Sequence, residues 1–161
     1  MLDFPALLHR FAAAVVANDG AGLAALFTED GVYEDGFFGA NQGPDAIAGM
    51  LAKFHETGGD YRWDFFDPLS DARIGYARWR FSYASKVPGA EGKPVVFEGI
   101  ALFEFRGERI ARYSEAFDRG VALVQQDFAA ERLHKILLKV AQAQNATPEC
   151  REHLARFAAM T

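Results

Sequence analysis

The chain has one cysteine, Cys150, in 161 residues. A lone thiol forms no internal disulfide and no cysteine-rich metal site. It reads as a half-buried thiol on a C-terminal helix, and a reducing cytoplasm is the expected compartment. No stretch of 18 apolar residues occurs, so no membrane-spanning helix is expected. The N-terminal MLDFPALLHRF has no basic flank ahead of an apolar run, and it is not read as a secretory signal. Positive charge is scarce too: 17 Lys and Arg face 22 Asp and Glu, a net −5. An acidic domain has no field that gathers phosphate backbones, so nucleic acid is not an expected partner. The sequence lacks a His-x-x-x-His pair, a Gly-rich phosphate loop and a nucleotide fingerprint, so no metal and no cofactor are predicted.

What is abundant is aromatic. Fifteen Phe, five Tyr and two Trp accompany a hydrophobic fraction of 50%. That exceeds the needs of a core this size, and a cavity lined with rings would use the surplus.

Along the chain the hydrophobic period changes twice. Asp3 and Pro5 open a helix, with Phe4, Leu7, Leu8, Phe11, Val15 and Val16 at helical spacing. Asn18-Asp19-Gly20 breaks it. Asp19 caps a shorter helix expected to carry Leu23, Leu26 and Phe27. Thr28 to Gly31 reads as a turn, Val32 to Asp35 as a short strand, and Gly36 to Gly43 as a loop. Pro44 and Asp45 open a third helix with Ile47, Met50, Leu51 and Phe54 on its inner face; Gly58-Gly59 stops it. From Asp60 the period is two. Strands are expected over Asp60–Pro68, Arg73–Lys86, Val95–Arg106 and Arg109–Phe117, joined as an antiparallel meander. After Asp118 the helical period returns. One long helix is expected, with Val121, Val124, Phe128, Leu133, Ile136, Leu137 and Val140 as its stripe, followed by a short helix over residues 149–160. The pattern is α+β: a curled antiparallel sheet packed on N-terminal helices to form a cone with one open end.

The segment ALFTEDGVYEDGFFGANQGPDAIAGML, Ala25 to Leu51, resembles the nuclear transport factor 2-like (cystatin-like) superfamily. Within it, the segment is most similar to the SnoaL-like polyketide cyclase and ketosteroid isomerase branch. FEGIALFEFRGERIARYSEAFD, Phe97 to Asp118, resembles the last two strands of that fold. The resemblance spans roughly residues 5–118. It implies a domain over residues 1–118, with residues 119–161 as a C-terminal helical extension. It further implies an enzyme working by cofactor-free acid/base chemistry: an isomerase, cyclase, dehydratase or C–C lyase acting on an apolar cyclic or aromatic molecule. A non-catalytic ligand-binding or dimerisation module on the same fold is the alternative.

In the ketosteroid isomerase branch the aspartate ending the first strand is the general base. The spacing Asp30-x-x-x-Glu34-Asp35 lays it on Asp35. The branch's two oxyanion donors fall on Phe11 and Ala101, neither of which can donate a hydrogen bond. Steroid isomerisation by that arrangement, a worked example of pKa tuning, is therefore not implied.

The candidate site residues follow. Asp35 is the proton shuttle or, more plainly, a strand-end aspartate accepting N–H groups of the Gly36 to Gly43 loop. Tyr113 and Glu115 share one face of the last strand. Tyr113 is a candidate oxyanion donor; Glu115 either orients it or acts as a second acid/base, and needs a partner or a proton if it points inward. His55, near the end of the third helix, either faces the cavity mouth or sits on the surface. Phe11, Phe37, Phe38, Phe54, Trp63, Trp79, Phe97 and Ala101 are candidate substrate-binding residues, with Gly99 and Ala101 leaving room for a ligand. His9 reads as a helix-surface or interface residue, and His134 and His153 as structural. Arg78, Arg80, Glu98 and Glu104 read as ion-paired on the opposite sheet face. Ile100 and Leu102 lie between the charges there, and a homodimer is expected through that face. The C-terminal helix either covers the cavity mouth or packs at a subunit edge.

Overall fold

The structure is a computed structural model that describes residues 2–158. The chain forms two compact units that divide between Gln126 and Asp127.

In the first unit, α1 (Phe4–Val16) starts where expected: the Asp3 carboxylate accepts from the amide of Ala6 at 3.0 Å, with Pro5 in the first turn. That contact satisfies one of the helix's orphan donors. Asp19 caps α2 (Gly20–Ala24) in the same way, through the amide of Gly22 at 2.8 Å. α2 ends before Leu26 and Phe27, contrary to the sequence expectation. Phe27 instead opens β1 (Phe27–Asp35), where its ring is buried and Leu26 accepts from the amide of Ile110 at 2.9 Å. The expected turn at Thr28 to Gly31 thus lies inside a strand, as an irregularity in its pairing between Phe27 and Val32. The Gly36–Gly43 segment is not wholly loop either: β2 (Gly39–Gln42) folds back antiparallel on β1.

α3 (Pro44–Thr57) leads into the meander of β3 (Gly58–Ser70), β4 (Ile74–Ser85), β5 (Pro94–Arg106) and β6 (Arg109–Phe117). The six strands form one curved, unclosed sheet in the order β2-β1-β6-β5-β4-β3. β1 and β6 run parallel, placing Tyr33 opposite Tyr113. Every other neighbouring pair is antiparallel.

Alternation decides which side chains turn inward. On β4, Ala77, Trp79 and Phe81 are buried, while Tyr76, Arg78 and Arg80 face out. On β5, Val95, Phe97, Ala101 and Phe103 are buried. These rings pack on α1, with Phe11 fully buried among Phe27, Tyr33, Trp63, Phe65, Phe103 and Tyr113. Burying one such ring stabilises by about 1.5–3 kcal/mol. On the outer face Arg80 pairs with Glu98 and Arg78 with Asp67. Such exposed pairs contribute about 0–1 kcal/mol each.

No single helix runs from Val121 to Val140. α4 (Arg119–Val124) belongs to the first unit, and α5 (Ala130–Asn145) and α6 (Pro148–Ala158) to the second. Between α4 and α5, Asp127 takes a left-handed backbone conformation, with φ at 54°. The apolar stripe expected across this break does not form: Ala122 and Leu123 are buried, whereas Val121 and Val124 are exposed. α4 is held by glutamines the apolar pattern did not mark. The Gln125 side chain both accepts from the Val96 amide, at 3.0 Å, and donates to the Val96 carbonyl, at 2.8 Å. Gln126 is buried, donating to the Tyr83 hydroxyl at 3.1 Å and accepting from Ser85 at 3.2 Å. Among the described residues no helix is long and apolar enough to cross a membrane.

Candidate active site

Strand alternation turns Tyr33 and Asp35 inward and Glu34 outward, where Glu34 pairs with Arg112 of the neighbouring β6. Asp35 is buried. Its Oδ1 accepts from the amides of Phe37, at 2.7 Å, and Phe38, at 2.8 Å. This is a tight turn closed by an aspartate, a conformation the residue favours. It also carries Phe37 over the inner face of the sheet. Gly36, at the corner, has no room for a side chain: a Cβ there would lie 2.2 Å from Cε1 of Phe117.

Glu115 reaches the same corner from β6. Its Oε1 accepts from the amide of Gly36 at 3.2 Å, and its Oε2 accepts from the Tyr113 hydroxyl at 2.7 Å. The partner that an inward Glu115 requires is therefore Tyr113. Arg119, at the start of α4, donates through Nε to the Gly36 carbonyl and lies over the Phe117 ring.

Burial is the main electrostatic fact. It raises the Asp35 carboxyl above its ordinary range, opposed by the N–H groups of Phe38 and Phe37 and by the Arg119 charge. Burial and then the negative charge of Asp35 push Glu115 up to about 8, against the Tyr113 hydroxyl, the Gly36 amide and Arg119. Two carboxyls this close do not readily ionise together. At neutral pH Glu115 therefore keeps its proton more readily than an ordinary glutamate, and the charge of Asp35 is part of the cause. Burial also raises the Tyr33 and Tyr113 hydroxyls well above the usual tyrosine range, so both remain protonated.

Asp35 and Glu115 are the acidic groups on the wall of an otherwise apolar cavity. Val15, Tyr33, Phe37, Met50, Leu51, Phe54, Trp63, Trp79, Phe81, Phe97 and Phe117 complete the wall. The cavity is small, about 30 Å³. The rings expected to line a deep pocket instead fill most of it. On the other side, Asp35 and Glu115 border a shallow polar cleft with Glu34, Ser114 and Arg119, which gives the pair a path to solvent.

Of the sequence candidates, the structure brings Asp35, Glu115, Phe37, Phe54, Trp63, Trp79 and Phe97 to this cavity. Tyr113 stands behind Glu115 and orients it. Phe38 is exposed, its ring centroid 6.3 Å from that of Phe54. Phe11 and Ala101 lie in the core and do not line the wall. The space expected above Gly99 is filled, because the Trp79 indole rests where a Cβ of residue 99 would stand. His55 is not brought to the group: its Nε2 lies 2.8 Å from the Val15 carbonyl and its ring packs on Tyr61. His9 is exposed. Cys150 is half-buried on α6.

Sequence reasoning missed Tyr33 and Arg119. Tyr33 had a signal, since it precedes Asp35 by two and must share its face. Arg119 had none in the spacing, because α4 places it. Among the described residues no three His, Cys, Asp or Glu side chains are grouped to hold a metal ion.

Comparison with known proteins agrees with this fold. Residues 8–113 match the model of the SnoaL-like domain. A hypothetical protein of Catenulispora acidiphila with a ketosteroid isomerase-like fold, in complex with trimethylamine, superposes with a TM-score of 0.70. It is 21% identical, covering 79% of this chain and 96% of its own. An LEH-like epoxide hydrolase of M. tuberculosis gives 0.60 at 17% identity, covering 83% and 93% of the two chains. A ketosteroid isomerase-like protein of Erwinia carotovora atroseptica gives 0.56 at 22% identity, covering 70% and 92%. No curated protein sequence matches the chain. The SnoaL-like match spans most of the helix-and-sheet unit that carries the cavity, and the chain belongs to the SnoaL-like domain family, on a nuclear transport factor 2-like fold.

Proposed function

We propose that this protein is an enzyme that moves a proton at carbon without a cofactor. Asp35 is the base, and Glu115, protonated at neutral pH, is its acid partner. The observation that carries this reading is the pairing of buried Asp35 with half-buried Glu115 on the wall of an aromatic cavity. A base and an acid within reach of one bound molecule are what isomerisation, cyclisation, dehydration or C–C lysis requires. Arg119 and the N–H groups of Phe37 and Phe38 keep Asp35 ionisable despite its burial. The aromatic wall excludes water and suits an apolar substrate, cyclic or aromatic. The Catenulispora relative is in complex with trimethylamine, and a ligand of that size also suits a narrow cavity. A larger substrate requires the Phe37–Phe38 turn to swing out.

The rest of the reading is a cytoplasmic homodimer paired through the outer sheet face, with residues 119–161 as an extension of the SnoaL-like domain. The small cavity favours a second reading, a binding module with no chemistry.

Deuterium uptake separates the two. A panel of small cyclic ketones in D2O, followed by NMR, is expected to exchange α-protons faster with the protein than with buffer. Asp35→Asn should abolish the excess. Exchange equal to buffer across the panel, with ligand binding intact, would leave the module.

A further inference from the structure

A base that removes a proton beside a carbonyl needs a donor for the charge that develops on oxygen. Among the described residues three buried side-chain groups have no partner: the Thr28 hydroxyl, which does not line the cavity, and the indole N–H groups of Trp63 and Trp79. Both rings line the cavity that holds Asp35 and Glu115. They stand nearly perpendicular to one another, with centroids 5.9 Å apart.

Buried N–H groups are nearly always paired, because an unpaired one has lost its hydrogen bonds to water and gained none in return. Two in one cavity are therefore informative. Trp79 is held in place firmly: it is 1% exposed. Its Cζ2 and Cε2 occupy space left by Gly99, 2.4 and 2.8 Å from where a Cβ would stand. The other donors on the wall lie on the Asp35 side: the Tyr33 hydroxyl, beside Tyr113 and within the fields of Asp35 and Glu115, and Glu115 itself, which serves as the acid partner of Asp35.

We infer that the indole N–H groups of Trp63 and Trp79 bind the carbonyl oxygen of the substrate and hold its charge as Asp35 removes the neighbouring proton. The substrate class is thereby narrowed to small ketones or related carbonyl compounds with an acidic α C–H. This inference rests on the proton-transfer reading above. In the step, Asp35 takes the α-proton, the C–H pair becomes the C=C bond of an enolate, and the C=O π pair moves onto oxygen. Returning a proton to carbon restores the carbonyl, so the step needs no oxidant or co-reactant. Two neutral donors in an apolar wall stabilise an oxyanion without ion-pairing to the carboxylates.

The test uses the full chain labelled with 15N-tryptophan. The sequence holds two Trp, so two indole signals report directly. The probes are cyclopentanone and its isostere methylenecyclopentane, which has no acceptor. Cyclopentanone is expected to move both indole proton signals downfield, and methylenecyclopentane is not. Trp79→Phe and, separately, the more exposed Trp63→Phe should each lower the ketone-to-alkene affinity ratio about fivefold. Turnover, where present, should fall about a hundredfold. Indole signals unmoved by the ketone, through absent binding or because each N–H rests on a neighbouring ring, would overturn the inference. So would an unchanged affinity ratio in both variants.

The two proposals fail separately. Ketone-shifted indoles with no deuterium exchange would remove the enzyme and keep the carbonyl site. Asp35-dependent exchange with unmoved indoles would do the reverse.

Discussion

The hydroxyl of Tyr113 donates to Oε2 of Glu115 at 2.7 Å, two residues further along the same strand. Tyr113 is completely buried behind that contact and does not line the cavity. On the proposed mechanism it is a positioning residue, acting on substrate only through the Glu115 carboxyl. Tyr113→Phe should leave ring packing intact and raise the Glu115 pKa further, since a donor to the carboxylate is lost. The check is the alkaline limb of the pH–rate profile, which should move upward while KM stays nearly constant.

Asp35→Asn separates chemistry from structure. The amide oxygen can still accept from Phe37 and Phe38, so the turn should persist and the melting temperature should hold or rise. Deuterium exchange or turnover should fall by about 10²–10⁴-fold, the usual contribution of a positioned base. A residual rate within tenfold of wild type would exclude Asp35 as the base.

Glu115 makes stability depend on pH. Its ordinary value is 4.5 and burial, with the Asp35 charge, lifts it to about 8 in the folded protein. Between those values the native state binds the extra proton, so stability is fullest below about 4.5 and declines as pH rises toward 8. The limiting slope for one proton is about 1.4 kcal/mol per pH unit. In a chain of this size that corresponds to about 3–5 °C per unit. Exposure of part of Glu115 to the polar cleft will reduce it. Glu115→Gln should flatten the slope in thermal melts from pH 5 to 9. An equally steep decline in the variant would assign the effect elsewhere.

Much of this molecule was legible before the fold was seen, for reasons visible at particular residues. Asp3, Asp19 and Pro44 mark helix starts because capping is local chemistry. The alternation of Trp79 and Phe81 with Arg78 and Arg80 marks a half-buried strand. Asp35 was legible because its turn lies within three residues of it. Phe27 was misplaced because helical spacing continues through Leu23 and Leu26, while long-range pairing with Ile110 decides the matter. Arg119 and Gln126 were missed for a related reason. They are polar residues whose partners, the Gly36 carbonyl and the Ser85 and Tyr83 hydroxyls, lie tens of residues away. The small cavity was equally hidden: composition counts rings but does not say how tightly they interlock.

Gly36→Ala tests the corner of the site. The added methyl would fall 2.2 Å from Cε1 and 2.4 Å from Cζ of Phe117, a ring wedged against Trp79 and Phe97. Overpacking of this kind costs about 1–3 kcal/mol. The melting temperature should drop, and activity should drop further as the Gly36 amide shifts from Glu115. A variant as stable and active as wild type would show that the Phe117 ring moves freely.

The outer sheet face offers the contact for the expected homodimer. Tyr76, Val96 and Ile100 are exposed there by 45%, 44% and 50%. Light scattering at micromolar protein should give the mass of two chains, and Ile100→Glu should reduce it to one. A wild-type mass of one chain would remove the dimer.

A chain ending at Gln126 should fold without the rest, since the core cluster is drawn from residues 4 to 122. Circular dichroism and melting check the fold. Its exchange rate against the full chain decides whether residues 127–161 act as a lid: a folded, inactive core would assign that role, and an unchanged rate would exclude it.

The parallel pairing of β1 with β6 has a consequence for how the protein comes into being. Gly36 meets Glu115 across 79 residues of chain, and Tyr33 meets its register partner Tyr113 across a comparable span. Closing such a span is slow compared with forming a helix or a hairpin. During synthesis, α1 to β5 emerge with an edge of β1 still vacant, and Asp35 is no more than a carboxyl beside an unfinished sheet. Asp35 and Glu115 come together only when β6 docks, so any chemistry that needs both must wait for the last strand of the sheet.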